Sequence, residues 1–383
     1  MPMNSHTARA PQRHVLLMYI SKISGHRQAT MAISKSLKKT LPDAEVQSIN
    51  GFGYNYPLLE NVVNAAYMSI IRHTPQVWDY LYDNPRVVKR SANLRKFLYT
   101  SSHKKLEKLF KDFPADTVVC SQAFPCAMVA DYKTKNRLNF TIIGVLTDWA
   151  PHSYWINDGV DYYIVPSQDT KDRFVKKGVP SEKILVFGIP IRSNFADRLD
   201  KRDMREKLGL KANIPTALIM GGGQGLGPMK EAVKELMKMS SPLQMIVVAG
   251  SNRKLYQWLE KHASLAPNKC IYYDYASNID ELMEASDLIV TKPGGMTTSE
   301  CLVKGLPMVI VSPLPGQEAR NTDFLLEKGI AIHVHDVRDL SSEVDLLLRS
   351  PDRLKAMAGA ALENGKPDAA DDIARLVKEA RSA

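Results

Sequence analysis

The sequence predicts an α/β protein of two Rossmann-like parallel-sheet domains facing a central cleft. Short β-rich runs alternate with helical patterns, and the runs form two successive series of six separated by a polar stretch at 192–205. The chain has 383 residues, of which 44% are hydrophobic and 24% charged. That is a globular balance with enough chain for two cores, and it excludes disordered, collagen-like and coiled-coil classes.

The first series comprises residues 15–20, 45–49, 117–120, 141–146, 162–165 and 184–187. The second comprises 216–220, 244–249, 270–273, 288–290, 308–311 and 331–334. Between them lie amphipathic stretches such as 229–239, apolar at Met229, Val233, Leu236 and Met237, and 278–285. Strands separated by helices imply right-handed βαβ units. We therefore expect a disordered polar start at 1–14, a first domain at 15–192 with an insert at 51–111, and a second domain at 193–365. A C-terminal helix at 366–383 is expected to pack back on the first domain. Ligands of open α/β sheets sit beyond the carboxyl ends of the strands, so the chemistry is expected in loops that follow strands.

Charge divides the halves. The chain carries 51 Lys+Arg and 41 Asp+Glu, for a net +10. Residues 1–200 hold 27 basic and 17 acidic side chains, whereas 201–383 hold 24 of each. The insert is aromatic at Phe52, Tyr54, Tyr56, Tyr67, Trp78, Tyr80 and Tyr82. From 86 to 111 it then carries nine basic residues, among them Lys89, Arg90, Arg95 and Lys96, against Glu107 alone. Leu94, Phe97, Leu98, Leu106, Leu109 and Phe110 are interleaved with roughly helical spacing. A basic amphipathic helix of this kind suits an interface with anionic lipid; the alternative is a solvated face packed on its own domain. The stretch lacks any recognised nucleic-acid module.

Cys120, Cys126, Cys270 and Cys301 have no metal-ligand spacing, and so few cysteines in so long a chain argue against a disulfide framework and for a reducing cytosolic compartment. The apolar run at 15–20 is too short for a signal sequence or a membrane span. Any membrane contact is expected to be peripheral, on the cytoplasmic face.

Four loops carry candidate chemistry. A Gly-His at 25–26, between strand and helix, aims an imidazole into the crevice, where it can act as a general base or merely cap the helix. Residues 146–155 bring Asp148, His152 and Trp155 to a strand end, with Trp155 suited to covering an apolar acceptor. Residues 220–227 (MGGGQGLG) expose backbone N–H groups, including those of Gly222 and Gly223, before a helix. They lack the Lys-Ser/Thr of a P-loop, and the next strand ends in Ala249-Gly-Ser251 where a dinucleotide site would place an acid. The strongest segment is 291–300 (TKPGGMTTSE). Gly294 and Gly295 make the turn, and Thr297 and Thr298 open a helix that can hold a diphosphate. Glu300 can accept from ribose hydroxyls. After the next strand Gly316, Gln317, Glu318 and Asn321 follow, with polar groups suited to a sugar.

Taken together, these motifs resemble the GT-B-fold glycosyltransferases of the diacylglycerol glycosyltransferase and monogalactosyldiacylglycerol synthase family, related to the glycosyltransferase that makes lipid II. The resemblance rests on the Gly-His at 25–26, the Thr-Asp-x-x-x-His-x-x-Trp stretch at 147–155, the triple Gly at 221–223 and the Pro-Gly-Gly…Ser-Glu block at 293–300. It implies a second domain that binds a UDP-sugar and a first domain that docks on the membrane and admits diacylglycerol. It also implies inversion at the anomeric carbon without a bound metal, and the chain contains no Asp-x-Asp. His26 would be the base or part of the acceptor site, with Asp148 and His152 nearby; which of the three is the base stays open. Ser251 joins the nucleotide-sugar loops, Glu300 takes the ribose, and Gln317 and Glu318 take the hexose.

The expected function is transfer of glucose or galactose from a UDP-hexose to the 3-hydroxyl of diacylglycerol, with no cofactor. Its alternatives are an N-acetylglucosaminyltransferase acting on a polyprenyl-linked acceptor and a UDP-sugar-responsive regulatory protein.

Overall fold

A computed structural model describes residues 12–21, 24–56, 92–149 and 153–380. Tyr67, Trp78, Tyr80, Tyr82, Lys89, Arg90 and His152 lie outside the described residues, as does most of the polar start. Arg95 and Lys96 fall on a described helix, with their side chains outside the description.

The first half contains β1 (His14–Tyr19), α1 (Gly25–Thr40), β2 (Glu45–Asn50), α2 (Gly51–Asn55), α3 (Ala92–Asp112) and β3 (Thr117–Cys120). It continues through α4 (Ala123–Asn136), β4 (Thr141–Val145), β5 (Tyr162–Ile164), α5 (Gln168–Lys176) and β6 (Ile184–Leu185). The strands form one parallel sheet in the order β2-β1-β3-β4-β5-β6. The second half runs α6 (Lys201–Lys207), β7 (Thr216–Met220), α7 (Met229–Leu236), β8 (Gln244–Val248), α8 (Arg253–His262) and β9 (Cys270–Tyr273). It then adds α9 (Ile279–Ala285), β10 (Leu288–Thr291), α10 (Gly295–Lys304), β11 (Met308–Val311), α11 (Gln317–Glu327) and β12 (Ala331–Val334). Its parallel sheet has the order β12-β11-β10-β7-β8-β9. Helices α12 (Leu340–Leu348), α13 (Pro351–Asn364) and α14 (Ala369–Glu379) complete the chain. The two six-stranded α/β sheets are the architecture that the alternation of runs predicts.

Every residue of β3, β4, β7, β8, β10 and β11 is buried, as parallel strands with helices on both faces must be. Helix α1 starts where the Ser24 side chain accepts from the Arg27 N–H and ends with Lys38 and Lys39, which complement the helix dipole. Its buried Ala29, Ile33 and Leu37 recur every four residues. Ile33 and Leu37 pack with Val15 and Leu17 of β1 and with Ile373, Ala374 and Val377 of α14. Arg13, among the described residues, donates from its guanidinium to the Val377 and Ala380 carbonyls at the end of α14.

The chain crosses between the halves twice. Val186 packs in the first core, whereas Ile189, Ile191 and Phe195 are already in the second. The first crossing therefore lies at 187–189, upstream of the polar stretch that composition marks. The return follows Ala361 of the second core and precedes Ala369. The two crossings touch: a Cβ at Gly188, where φ is +99°, would lie 2.4 Å from Lys366 Cβ.

Candidate active site

Each sheet reverses direction of growth at one point, and the loops beyond such a point form the ligand crevice of an open α/β sheet. In the first sheet that point lies between β1 and β3. The loop after β1 leads to His26 in the first turn of α1, and β3 ends beside Ser121. His26 Nδ1 lies 2.9 Å from the Ser121 carbonyl and 3.0 Å from Thr147 Oγ1. A carbonyl oxygen can only accept, so Nδ1 carries the proton and Nε2 keeps its lone pair. Ser121 is itself held: its hydroxyl donates to the His26 carbonyl at 3.0 Å and pairs with Thr30 Oγ1 at 2.9 Å. Burial pushes the imidazole down to about 4, against the pull of the Ser121 carbonyl, so His26 is neutral at pH 7.

In the second sheet the point lies between β7 and β10. The glycine loop after β7 folds onto the turn after β8: the Ser251 N–H donates to the Gly223 carbonyl at 3.0 Å. Gly250 has φ +60°, and a Cβ there would come within 2.6 Å of the Gly223 oxygen. Gly222 and Gly223 face open space, with nothing within 4 Å of a built Cβ. Ser251 is exposed. After β10, Gly294 precedes the first turn of α10, whose Gly295, Thr297, Thr298 and Ser299 are buried. Thr298 Oγ1 has no hydrogen-bond partner among the described residues. Burial pushes Glu300 up to about 8, with Arg192 opposing and Asp280 adding to the shift. A protonated Glu300 can donate as well as accept.

The two crevices meet along a seam. A Cβ on Gly25 would lie 2.9 Å from Met296 Cγ, so the starts of α1 and α10 abut. A Cβ on Gly295 would lie 1.8 Å from the Thr147 carbonyl oxygen. Next in sequence, Asp148 accepts from Gln317 Nε2 at 3.3 Å and from Asn321 Nδ2 at 3.4 Å. Burial pushes the Asp148 carboxyl up to about 7; the Asn321 amide and Lys292 pull against it and Glu318 adds to it. Trp149 then enters the second core, where it stacks on Phe324 at 5.4 Å between centroids. Its backbone N–H donates to Asn321 Oδ1 at 3.1 Å, while Asn321 Nδ2 also reaches the Pro293 carbonyl at 2.9 Å. Residues 147–149 thus belong to the first half by sequence and lock into the second.

Glu318 differs from the expectation of a carboxylate turned to a ligand alone. One of its oxygens pairs with Lys292 and the other accepts from the Leu314 N–H at 2.9 Å. Carboxylate oxygens have further lone pairs, so Glu318 can still accept. Gly316, at φ +86°, makes the turn into α11 that brings Gln317, Glu318 and Asn321 to this spot.

Trp155 also departs from expectation. It is 6% exposed and packs in the first core, and Gly144 is small enough to let its ring approach β4. Such burial leaves little of the ring to face a bound acceptor. Helix α3 divides its faces: Leu106 and Leu109 are buried in the first core, while Phe97, Lys104, Lys108 and Lys111 are exposed. Trp149 and Lys292 were not singled out by the sequence, and Thr147 only as the start of a motif. Lys292 stands directly before the Pro-Gly-Gly turn, and a lone cation in that turn was the available signal.

Comparison with known proteins covers both halves. The family described as monogalactosyldiacylglycerol (MGDG) synthase matches residues 26–191, and the glycosyltransferase family 28 C-terminal domain matches residues 216–373. The chain is 28% identical over 369 residues to a processive diacylglycerol beta-glucosyltransferase of Bacillus thuringiensis (strain Al Hakam), covering 95% of this chain and 93% of the relative. Among solved structures it resembles MurG of Acinetobacter baumannii, with a TM-score of 0.67 at 16% identity, covering 96% of this chain and 100% of that one. It also resembles HepE of Anabaena in complex with UDP-glucose, with a TM-score of 0.55 at 15% identity over 96% and 100% of the two chains.

Proposed function

Because the chain belongs to the diacylglycerol glycosyltransferase and monogalactosyldiacylglycerol synthase family of GT-B hexosyltransferases, we propose that it moves a hexose from a UDP-sugar to the 3-hydroxyl of diacylglycerol, with inversion and without a bound metal. The observation that carries this reading is the placement of His26. Its ring is anchored through Nδ1 at the start of α1, and that start abuts the start of α10 across the seam. The acceptor belongs on the His26 side and the nucleotide-sugar on the α10 side.

In this reading His26 Nε2 takes the proton of the 3-hydroxyl as its oxygen attacks the anomeric carbon. The bond to UDP breaks on the opposite face, which inverts the centre. Charge on the departing diphosphate falls on the N–H groups at Gly222, Gly223, Gly295 and Thr297 and on Lys292. Thr298 Oγ1, buried without a partner, supplies one further donor. Glu300 holds the ribose, Ser251 lines the nucleotide loop, and Gln317, Glu318 and Asn321 face the hexose, with Asp148 between them and His26. The relatives named glucosyltransferases favour glucose.

No described helix is long and apolar enough to cross a membrane. The exposed stripe of Phe97, Lys104, Lys108 and Lys111 on α3 supports docking on anionic lipid. The test incubates the protein with diacylglycerol vesicles and UDP-glucose or UDP-galactose, then identifies products by mass and linkage. A monohexosyl diacylglycerol lost in His26→Ala, with UDP binding kept, is the expected result. Product from a polyprenyl-linked acceptor and none from diacylglycerol would overturn it.

A further inference from the structure

We propose that Thr147 is the positioning residue for His26, and that it ties the alignment of the base to closure of the two domains. The inference rests on His26 acting as the base.

Two oxygens approach one ring nitrogen: the Ser121 carbonyl at 2.9 Å and Thr147 Oγ1 at 3.0 Å from Nδ1. With Nδ1 protonated for the carbonyl, the Thr147 hydroxyl must also accept from it, as a bifurcated bond. The Ser121 carbonyl sets which nitrogen holds the proton. The second acceptor, on the far loop after β4, sets the rotation of the ring about its own axis. Both are needed to hold Nε2 on one line, because a ring with one hydrogen bond can still swing about it.

The anchoring of Thr147 supplies the link to closure. Its carbonyl oxygen packs on Gly295 so closely that no larger residue fits there. Its neighbours Asp148 and Trp149 are held by Gln317, Asn321 and Phe324 of the second domain. Thr147 is buried, at 6% exposure. Its hydroxyl therefore stands at hydrogen-bonding distance from His26 only while residues 147–149 are docked on α10 and α11. The charged groups that act on Asp148 within this segment, Glu318 and Lys292, both belong to the second domain. Opening the seam would free the ring and leave a base without direction.

The consequence for basicity has a definite sign. An acceptor on Nδ1–H favours the imidazolium, so removing it makes His26 a weaker base. Thr147→Val should lower kcat by about tenfold or more, within the range that general-base catalysis contributes. It should shift the acid limb of the pH–rate profile to lower pH and leave the KM for the UDP-sugar unchanged. Thr147→Ser, which keeps the hydroxyl, should restore both. The ring itself can be read by 15N NMR on histidine-labelled protein, with His26→Gln to assign the signal. The wild type should show a protonated Nδ1 and an unprotonated Nε2, and Thr147→Val should broaden or shift that pattern.

Three results would overturn the proposal: a wild-type ring protonated on Nε2, a Thr147→Val enzyme with unchanged kcat and acid limb, or a Thr147→Ser enzyme as impaired as Thr147→Val. Turnover that survives His26→Ala would instead refute the assignment of the base, while the NMR pattern would stand on its own.

Discussion

Replacing Gly295 by Ala adds one carbon at the tightest point of the seam. That Cβ would sit 1.8 Å from the Thr147 carbonyl oxygen, whereas real Cβ contacts essentially never fall below 3.0 Å, so the two backbones must part by at least about 1.2 Å. Neither partner is a flexible side chain. Gly295 is not among the residues with positive φ, so the cost is steric and not conformational. Misplacing catalytic groups by about 1 Å can cost about 100-fold in rate, equivalent to about 2.7 kcal/mol of barrier. Gly25→Ala is the internal comparison, because its Cβ would meet the Cγ of Met296 at 2.9 Å, and a methionine side chain can move. We expect Gly295→Ala to lose about two orders of magnitude in kcat, measured as UDP release with saturating diacylglycerol vesicles. Gly25→Ala should keep most of its activity. Both should melt near the wild-type temperature, since each domain has its own core. Equal losses in the two variants, or a Gly295→Ala enzyme of wild-type rate, would refute the close approach as the control point.

Stability should depend on pH through Glu300. Its folded-state value of about 8 stands above the ordinary 4.5, so the folded protein holds a proton that the unfolded chain releases, and stability should fall as pH rises between those values. Glu300→Gln should flatten that slope, of up to about 1.4 kcal/mol per pH unit, in thermal melts across pH 5 to 8; an unchanged slope would remove the assignment. Lys292→Met should destabilise by about 3–5 kcal/mol by leaving Glu318 charged and unpaired, as read by denaturant unfolding. Adding Glu318→Gln should recover stability without recovering turnover; recovery of both would show that the pair is only structural. Trp149→Ala should cost about 3–5 kcal/mol from loss of the stack on Phe324 and should slow turnover. A stable, fully active Trp149→Ala would deny residues 147–149 their role as the lock.

The sheets were legible because buried parallel strands are short, nearly unbroken apolar runs. Residues 117–120, 216–220, 270–273, 308–311 and 331–334 coincide with their strands. The glycine loops were legible because turns beyond strand ends demand small residues. What lay hidden depends on neighbours distant in sequence. Thr147 and Trp149 look like ordinary strand-end residues until α10 and α11 pack on them, and Lys292 gains its meaning from an ion pair 26 positions away. Trp155 was ambiguous because an aromatic beside polar residues has the same sequence signature whether it lines a cleft or plugs a core. Its ring packs beside Gly144, on a different element.

The packing of α14 on α1 bears on the order in which the molecule can be built. Ile373, Ala374 and Val377 cover the face of α1 that holds Ile33 and Leu37, and Arg13 clasps the carbonyls at the end of α14. Already packed on β1 through the same side chains, α1 therefore lacks only its α14 cover while the ribosome makes the next three hundred residues. The first sheet forms early but is sealed only when α14 emerges, after the second domain is complete. The half that holds His26 is completed last, although it is translated first.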